Sequence, residues 1–355
     1  MVSFTYVDTK DALYEAAREW NSAADLAVDI ECENNLHHYG AYITLIQISD
    51  RDKNWIIDIL ALKEIQPLAD ILENRNIQKI FHDVSFDFRI LNEQFSCKPR
   101  NVFDTQLAAL LLGKKQIGLG DLLKEYFSIE KERKYQMADW TKRPLDTQML
   151  SYAAKDTLYL IPLRDLFRKE LQRQGRWSWA EEEFAVLERA DFSYNEQTFI
   201  DVRSVKLLSP EQLGIFKKLF LLRQKLARKV DRPSHFVINN NSLRECALHP
   251  PQWERLRGVH PVVRKEAAQF YAAVEEGKRE PAEILAKEKK RYSLEQKDLF
   301  EQLNELQLKA AAKTGIKGHL VINKEQMSEI ASTRKTDCLR RWQRQLLAEE
   351  GLKLE

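Results

Sequence analysis

Asp29 and Glu31 stand two residues apart where the apolar run Leu26-Ala-Val-Asp-Ile30 ends, a run that reads as a β-strand. Strand side chains alternate with a period of two, so both carboxylates face one side while Val28 and Ile30 face the other. Two like charges side by side on a core strand are costly unless a cation neutralises them. The pattern also fits a strand end that has reached solvent, and for this pair alone the two readings stand level. Asp87 follows Phe81-His-Asp-Val-Ser-Phe86, where a strand exit turns into a helix. A carboxylate in a first helical turn is equally a partner for the helix dipole. Tyr152 and Asp156, four residues apart, share one helical face, a spacing frequent on amphipathic helices.

Together the four carboxylates say more. An oxygen-only ligand set suits Mg²⁺ or Mn²⁺ rather than Zn²⁺. Four carboxylates can hold two such divalent cations about 4 Å apart, the arrangement used for in-line attack on a phosphodiester. One ion would lower the pKa of the attacking water and the other would stabilise the leaving 3′-oxygen, with Tyr152 orienting or deprotonating that water. Other site signatures are absent. There is no GxxxxGK[ST] loop and no HExxH, and Gly118-Leu-Gly120 has Leu123 where a dinucleotide fingerprint needs a third glycine. His37-His38 lies in a loop-like stretch and reads as solvent-exposed.

The elements that must position these groups alternate between strand and helix. Ser3–Val7, Leu26–Ile30, Ala41–Ile48, Asn54–Asp58 and Ile77–Phe81 read as strands, and Thr9–Trp20 and Glu64–Glu73 as helices. Three successive strands and then alternation with helices predict an α/β domain with a mixed sheet flanked by helices over residues 1–190. Ser128–Pro144 reads as a charged surface loop, and one long helix is expected from near Asp146 to about Gln172.

At 355 residues, 44% hydrophobic and 31% charged, the chain is long enough for two or three globular domains. Its longest apolar run, Leu107–Leu112, is far short of a membrane span, and Asp8, Lys10 and Asp11 stand where a secretory signal would be apolar. Four scattered cysteines form no framework, so a reduced, cytoplasmic setting is expected. The net charge of +2 hides an asymmetry: residues 1–190 hold 25 Lys and Arg against 31 Asp and Glu, leaving 31 against 23 for the rest. A basic second half suits a nucleic-acid or other anionic partner, and chance surface composition accounts for the charge equally well.

Residues 191–208 read as a connector, after which everything is helical. Ser209-Pro-Glu-Gln212 is a helix start with its own capping box. Ser234–Ala247 aligns without gaps to Gly318–Ala331, matching at six of fourteen positions with an offset of 84 residues. Two copies of one helical module follow, over 209–277 and 293–355, with a basic linker over 278–292 that includes Lys287, Lys289, Lys290 and Arg291. The connector is expected to let the first half stand alone after a cut near Val202, with residues 209–355 holding the body of a substrate.

The order Val28-Asp-Ile-Glu31, Leu45-Ile-Gln-Ile48, Phe81-His-Asp83 with Asp87, and Tyr152-xxx-Asp156 resembles the three exonuclease motifs of the DEDD superfamily, tyrosine subclass. Gly118-Leu-Gly-Asp-Leu-Leu123 and Asp139-Trp-Thr-Lys-Arg-Pro-Leu145 add a specific resemblance to the bacterial ribonuclease D family, and the repeated module resembles the HRDC domain. One departure is Ile30-Glu31-Cys32, where the family more often has Thr before the Glu and an aromatic after it. The resemblance implies an RNase H-like exonuclease domain followed by two all-α HRDC bundles. It implies a monomeric enzyme using Mg²⁺ or Mn²⁺ to trim RNA from a single-stranded 3′ end, notably tRNA precursors. Asp29, Glu31, Asp87 and Asp156 would be the metal ligands, and Tyr152 a further catalytic group. A DNA exonuclease of the same superfamily is the alternative within this chemistry, and a non-catalytic RNA-binding adaptor the alternative outside it.

Overall fold

The computed structural model describes residues 2–132, 134–193, 196–284 and 292–354. Residues 285–291 of the basic linker, with Lys287, Lys289, Lys290 and Arg291, lie outside the described residues.

Six strands form one mixed sheet: β1 (Thr5–Val7), β2 (Asp25–Asn34), β3 (Ala41–Ser49), β4 (Asn54–Asp58), β5 (Gln78–Phe81) and β6 (Val102–Asp104), in the order β1-β4-β3-β2-β5-β6. The β2–β3 and β3–β4 pairs are antiparallel and the others parallel. Helices α1 (Lys10–Trp20), α2 (Ile59–Leu62), α3 (Gln66–Glu73) and α4 (Ser85–Phe95) precede β6, and α5 (Thr105–Leu111), α6 (Leu119–Phe127), α7 (Thr147–Leu158), α8 (Leu160–Arg173) and α9 (Trp177–Leu187) follow it.

Alternation along the strands sorts the two faces. Val28, Ile30, Ile46 and Ile48 pack with Leu13, Trp20, Leu68 and Phe88 of α1, α3 and α4. Leu45 and Ile56 point to the other face and pack with Trp140 and with Tyr152, Ala153 and Ala154 of α7. Two expectations are corrected here. Strand β2 does not end at Ile30 but runs on to Asn34, with a bulge between Glu31 and Cys32, so both carboxylates sit within the sheet. The single helix expected over 146–172 is two helices, because Pro162 has no N–H for the Leu158 carbonyl and its ring crowds that carbonyl.

The repeat seen in sequence is also a repeat in structure. In the first unit, α10 (Pro210–Lys229) is followed by α11 (Ser234–Val237), α12 (Asn240–Leu248), α13 (Pro261–Lys265) and α14 (Ala267–Arg279); in the second, α15 (Leu294–Thr314) is followed by α16 (Gly318–Val321), α17 (Lys324–Thr333) and α18 (Arg341–Glu349). Capping boxes open α10 at Ser209–Gln212 and α15 at Ser293–Gln296. Leu219 and Leu303, Val237 and Val321, and Ile238 and Ile322 are buried in both.

The two units are held differently. The first has its own core, including Phe216, Trp253 and Phe270, and α10 meets α14 so closely that a Cβ on Gly214 would lie 2.5 Å from the Gly277 carbonyl oxygen. Its links to the sheet domain through the β2–β3 loop are largely polar: His38 Nδ1 lies 2.6 Å from Asp231 Oδ2, and the Tyr39 N–H donates to Asp231 Oδ1 at 3.1 Å. The second unit instead shares one core with the sheet domain, where Leu303, Ile316, Trp342 and Leu346 join Phe103, Leu160, Phe167 and Phe184. Trp342 stacks on Trp179 at 4.7 Å and donates to Glu183 at 2.9 Å. A cut near Val202 would strip that shared core, which corrects the expectation that residues 1–202 stand alone.

Candidate active site

Strand β2 and helix α7 bring three of the expected residues together. Carboxylate oxygens of Asp29, Glu31 and Asp156 all lie within 4.8 Å of one another. Asp29 is paired in register with Gln47 and Glu31 with Leu45, which puts both under α7, where Tyr152 and Asp156 sit one turn apart. Asp87, in the first turn of α4, is outside that trio but lines the same cleft of about 660 Å³ with Asp29, His82, Asp121 and Lys131.

Burial and mutual repulsion dominate the electrostatics. Loss of hydration pushes the Asp156 carboxyl up to about 7, with Asp29 adding to the rise and Lys131 opposing it. Glu31 is pushed well above the usual carboxylate range by burial and then by Asp29 and Asp156. Asp29 and Asp87 rise for the same first reason. Desolvation of an acid raises its pKa when no sufficient cation compensates. A trio of convergent oxygen donors held above its normal pKa fits a hard divalent cation, which would restore the charged form of every member. The Tyr152 hydroxyl is raised by burial and by Asp156, Glu31 and Asp29, so it stays protonated at neutral pH.

Sequence reasoning missed several groups that hold this arrangement. Lys131 comes from the stretch read as a surface loop, yet its Nζ is 2.8 Å from Asp156 Oδ1 and 5.6 Å from the centre of the Tyr152 ring. No pattern in the chain marks Lys131 out from its charged neighbours. The same loop buries Trp140, 6.2 Å from the Tyr152 ring, while Tyr135 meets that ring edge-on at 5.4 Å. Arg143 ties the loop down, donating through Nε at 2.5 Å and Nη2 at 2.7 Å to the Asp58 carboxylate and through Nη1 to the Trp140 carbonyl at 2.8 Å.

Asp104 does the corresponding work for Asp87. Its carboxylate accepts the N–H groups of Asp83 and Val84 at 3.2 Å each and caps α5 through Gln106 and Leu107. Asp83 is thereby held at a φ of 65°, a left-handed turn that starts α4 and presents Asp87 to the cleft. The helix-start pattern Asp104-Thr-Gln was a readable signal for the cap. His82, with Nδ1 at 2.9 Å from Thr105 Oγ1, is pulled down to about 4 by burial and stays neutral at physiological pH. The His37-His38 pair expected in solvent is half-buried, and His38 pairs with Asp231.

Residues 4–172 match the family described as 3′-5′ exonuclease, and residues 212–274 match the HRDC domain. The chain is 28% identical over 295 residues to exosome complex component 10 of Homo sapiens, covering 78% of this chain and 33% of that protein. It therefore spans about a third of the length of that relative. It is 31% identical over 239 residues to ribonuclease D of Desulfotalea psychrophila, covering 66% of this chain and 63% of that one. The crystal structure of Escherichia coli RNase D shares the fold with a TM-score of 0.74 at 22% identity, covering 98% of this chain and 97% of that one. Among the described residues, no helix is long and apolar enough to cross a membrane.

Proposed function

The chain carries a 3′-5′ exonuclease domain joined to an HRDC domain, and from that premise we propose that it is a metal-dependent 3′-5′ exoribonuclease. The observation that carries this reading is the convergence of Asp29, Glu31 and Asp156 within 4.8 Å of one another, with Tyr152 one helical turn from Asp156. Asp29, Glu31, Asp87 and Asp156 would hold two divalent cations, Mg²⁺ or Mn²⁺. When bound, these ions supply a more acidic water and charge stabilisation for the leaving oxygen. Tyr152, kept protonated by its surroundings, orients that water by hydrogen bonding. The water oxygen bonds to phosphorus as it gives up a proton to solvent, the bond from phosphorus to the 3′-oxygen breaks, the 3′-oxygen takes up a proton from solvent, and a nucleoside 5′-monophosphate leaves.

RNA is favoured over DNA by the ribonuclease D relatives and by a helical half without a helicase motor. The second helical unit is a second HRDC domain, a reading supported by its capping box and buried positions 84 residues from those of the first. The substrate is RNA with a free single-stranded 3′ end, with precursor tRNA the first to test, and the protein works as a cytoplasmic monomer. A 5′-labelled, 3′-extended tRNA incubated with Mg²⁺ or Mn²⁺ should yield a ladder of 3′-shortened products, abolished by EDTA and by Asp29→Asn. Shortening that survives Asp29→Asn would end this reading.

A further inference from the structure

Positions 223 and 307, 84 residues apart in the repeat, do one structural job with different chemistry. Arg223 Nη1 donates to the Ile238 carbonyl at 3.0 Å and to Asn240 Oδ1 at 2.7 Å. Gln307 reaches the matching Ile322 carbonyl with a neutral amide at 2.6 Å. An uncharged donor thus meets the need of the fold at this place, and the positive charge of Arg223 is surplus to it.

That charge is poorly compensated. Arg223 is 3% exposed, its hydrogen bonds among the described residues go to neutral acceptors, and its Nε has no hydrogen-bond partner among them. The Phe220 ring lies 4.7 Å from the guanidinium, a modest partner for a desolvated cation. Burial pulls Arg223 down to about 10, the direction expected of a cation without a nearby anion.

Arg223 lines a cleft of about 410 Å³ between the first helical unit and the β2–β3 loop. The walls are rich in neutral hydrogen-bonding groups, among them Asn35, Tyr39, Gln224 and Asn240, and Glu196 is the single carboxylate of the lining among the described residues. The cleft begins at Asn34, the last residue of β2. Asn34 stands three residue steps beyond Glu31 on this strand, about 10 Å along the chain. A strand whose 3′ end lies at the carboxylates has its next phosphates within reach of this cleft.

We propose that the cleft at the end of β2 binds a backbone phosphate of single-stranded RNA upstream of the scissile bond, with Arg223 as the anion's charged partner. The proposal rests on the exoribonuclease reading for its substrate. Arg223 differs from the exposed lysines of the helical half in being desolvated and pre-set by two hydrogen bonds, so little ordering is lost when a phosphate arrives.

The test uses the full chain in EDTA, with anisotropy of a 5′-fluorescein oligoadenylate of roughly twelve nucleotides over a salt series. Arg223→Gln copies the residue of the second unit and keeps a donor for the Ile238 carbonyl. It should weaken binding about tenfold and make the salt slope shallower by roughly 0.7. Gln224→Glu keeps the acceptor that the Ser234 hydroxyl uses, leaves Arg223 in place and adds a carboxylate to the cleft; it should weaken binding to a similar degree. If Arg223→Gln does not fold, Gln224→Glu decides. Wild-type affinity and salt slope in either folded variant would overturn the proposal. A dinucleotide, too short to reach the cleft, should be cleaved by both variants at the wild-type rate with Mn²⁺, and loss of that cleavage would overturn it as well. Failure of the wild-type protein to cleave either RNA would instead sink the exoribonuclease reading, with the binding series still deciding the cleft.

Discussion

Lys131 Nζ lies 2.8 Å from Oδ1 of Asp156, so the chain itself supplies a cation to its acidic cluster. Lys131 is drawn there by Asp156, Asp29 and Glu31, which hold its ammonium in the charged form against burial. One positive charge beside three carboxylates lowers their repulsion without removing it, and a divalent ion bound there would have to compete with that ammonium for Asp156.

Replacing Lys131 with Met should therefore act in opposite directions on the two states. The metal-free protein should melt lower at pH 8, by ~2–4 °C for each kcal/mol lost. Mn²⁺ should bind several-fold more tightly by calorimetry, because no ammonium is displaced. Unchanged values in both measurements would show that the contact is incidental.

Asp29→Asn keeps the shape of the side chain and removes one charge. Turnover should fall by several powers of ten, with about 1.4 kcal/mol for each tenfold. The metal-free variant should be more stable than wild type at pH 8, since repulsion with Glu31 and Asp156 is relieved. A catalytic loss paired with a large drop in melting temperature would point to misfolding instead.

Tyr152→Phe should lower turnover by roughly 10²–10⁴, the range for a group that handles a proton or positions a nucleophile. Mn²⁺ affinity should stay near wild type, because the phenol is assigned to water and not to metal. Equal losses in both would refute that division of roles.

The acidic cluster also sets a pH dependence for the metal-free protein. Folded-state pKa values of Asp29, Glu31, Asp87 and Asp156 lie above the ordinary carboxylate range, Asp156 at about 7. The folded state binds protons that the unfolded chain releases, so this contribution is full below about pH 4 and is lost as pH rises through 7. Melting in EDTA should show stability falling across that window, less steeply in Asp156→Asn. With Mg²⁺ present the trend should reverse, because the ligands must shed protons to bind it.

The helical units should respond differently to loss of a core tryptophan. Trp342→Ala opens the core shared by the second unit and the sheet domain and should cost about 3–5 kcal/mol, with nuclease activity lost at lower temperature. Trp253→Ala strikes the separate core of the first unit. Calorimetry should then show an early transition for that unit with the melting of the sheet domain unchanged. A single common transition in both variants would mean that the two cores unfold together.

The pairing of the candidate ligands Asp29, Glu31 and Asp156 with Tyr152 was legible in the chain because it is written in local periods. Asp29 and Glu31 share a face through the two-residue repeat of a strand, and Tyr152 and Asp156 through one helical turn, so neighbouring residues alone place each pair. The repeat of 84 residues and the Ser209–Gln212 capping box were readable for the same reason. Tertiary structure alone decided where the pairs meet and what faces them. Lys131 looks like any lysine of a charged loop until the fold brings it across 25 positions of sequence to Asp156. The second helical unit matches the first in pattern, yet only packing shows that it completes a core of the sheet domain through Trp342 and Trp179. Burial and Coulomb attraction act through space rather than along the chain, and residues far apart in sequence carry no local sign that they will share one charge or one core.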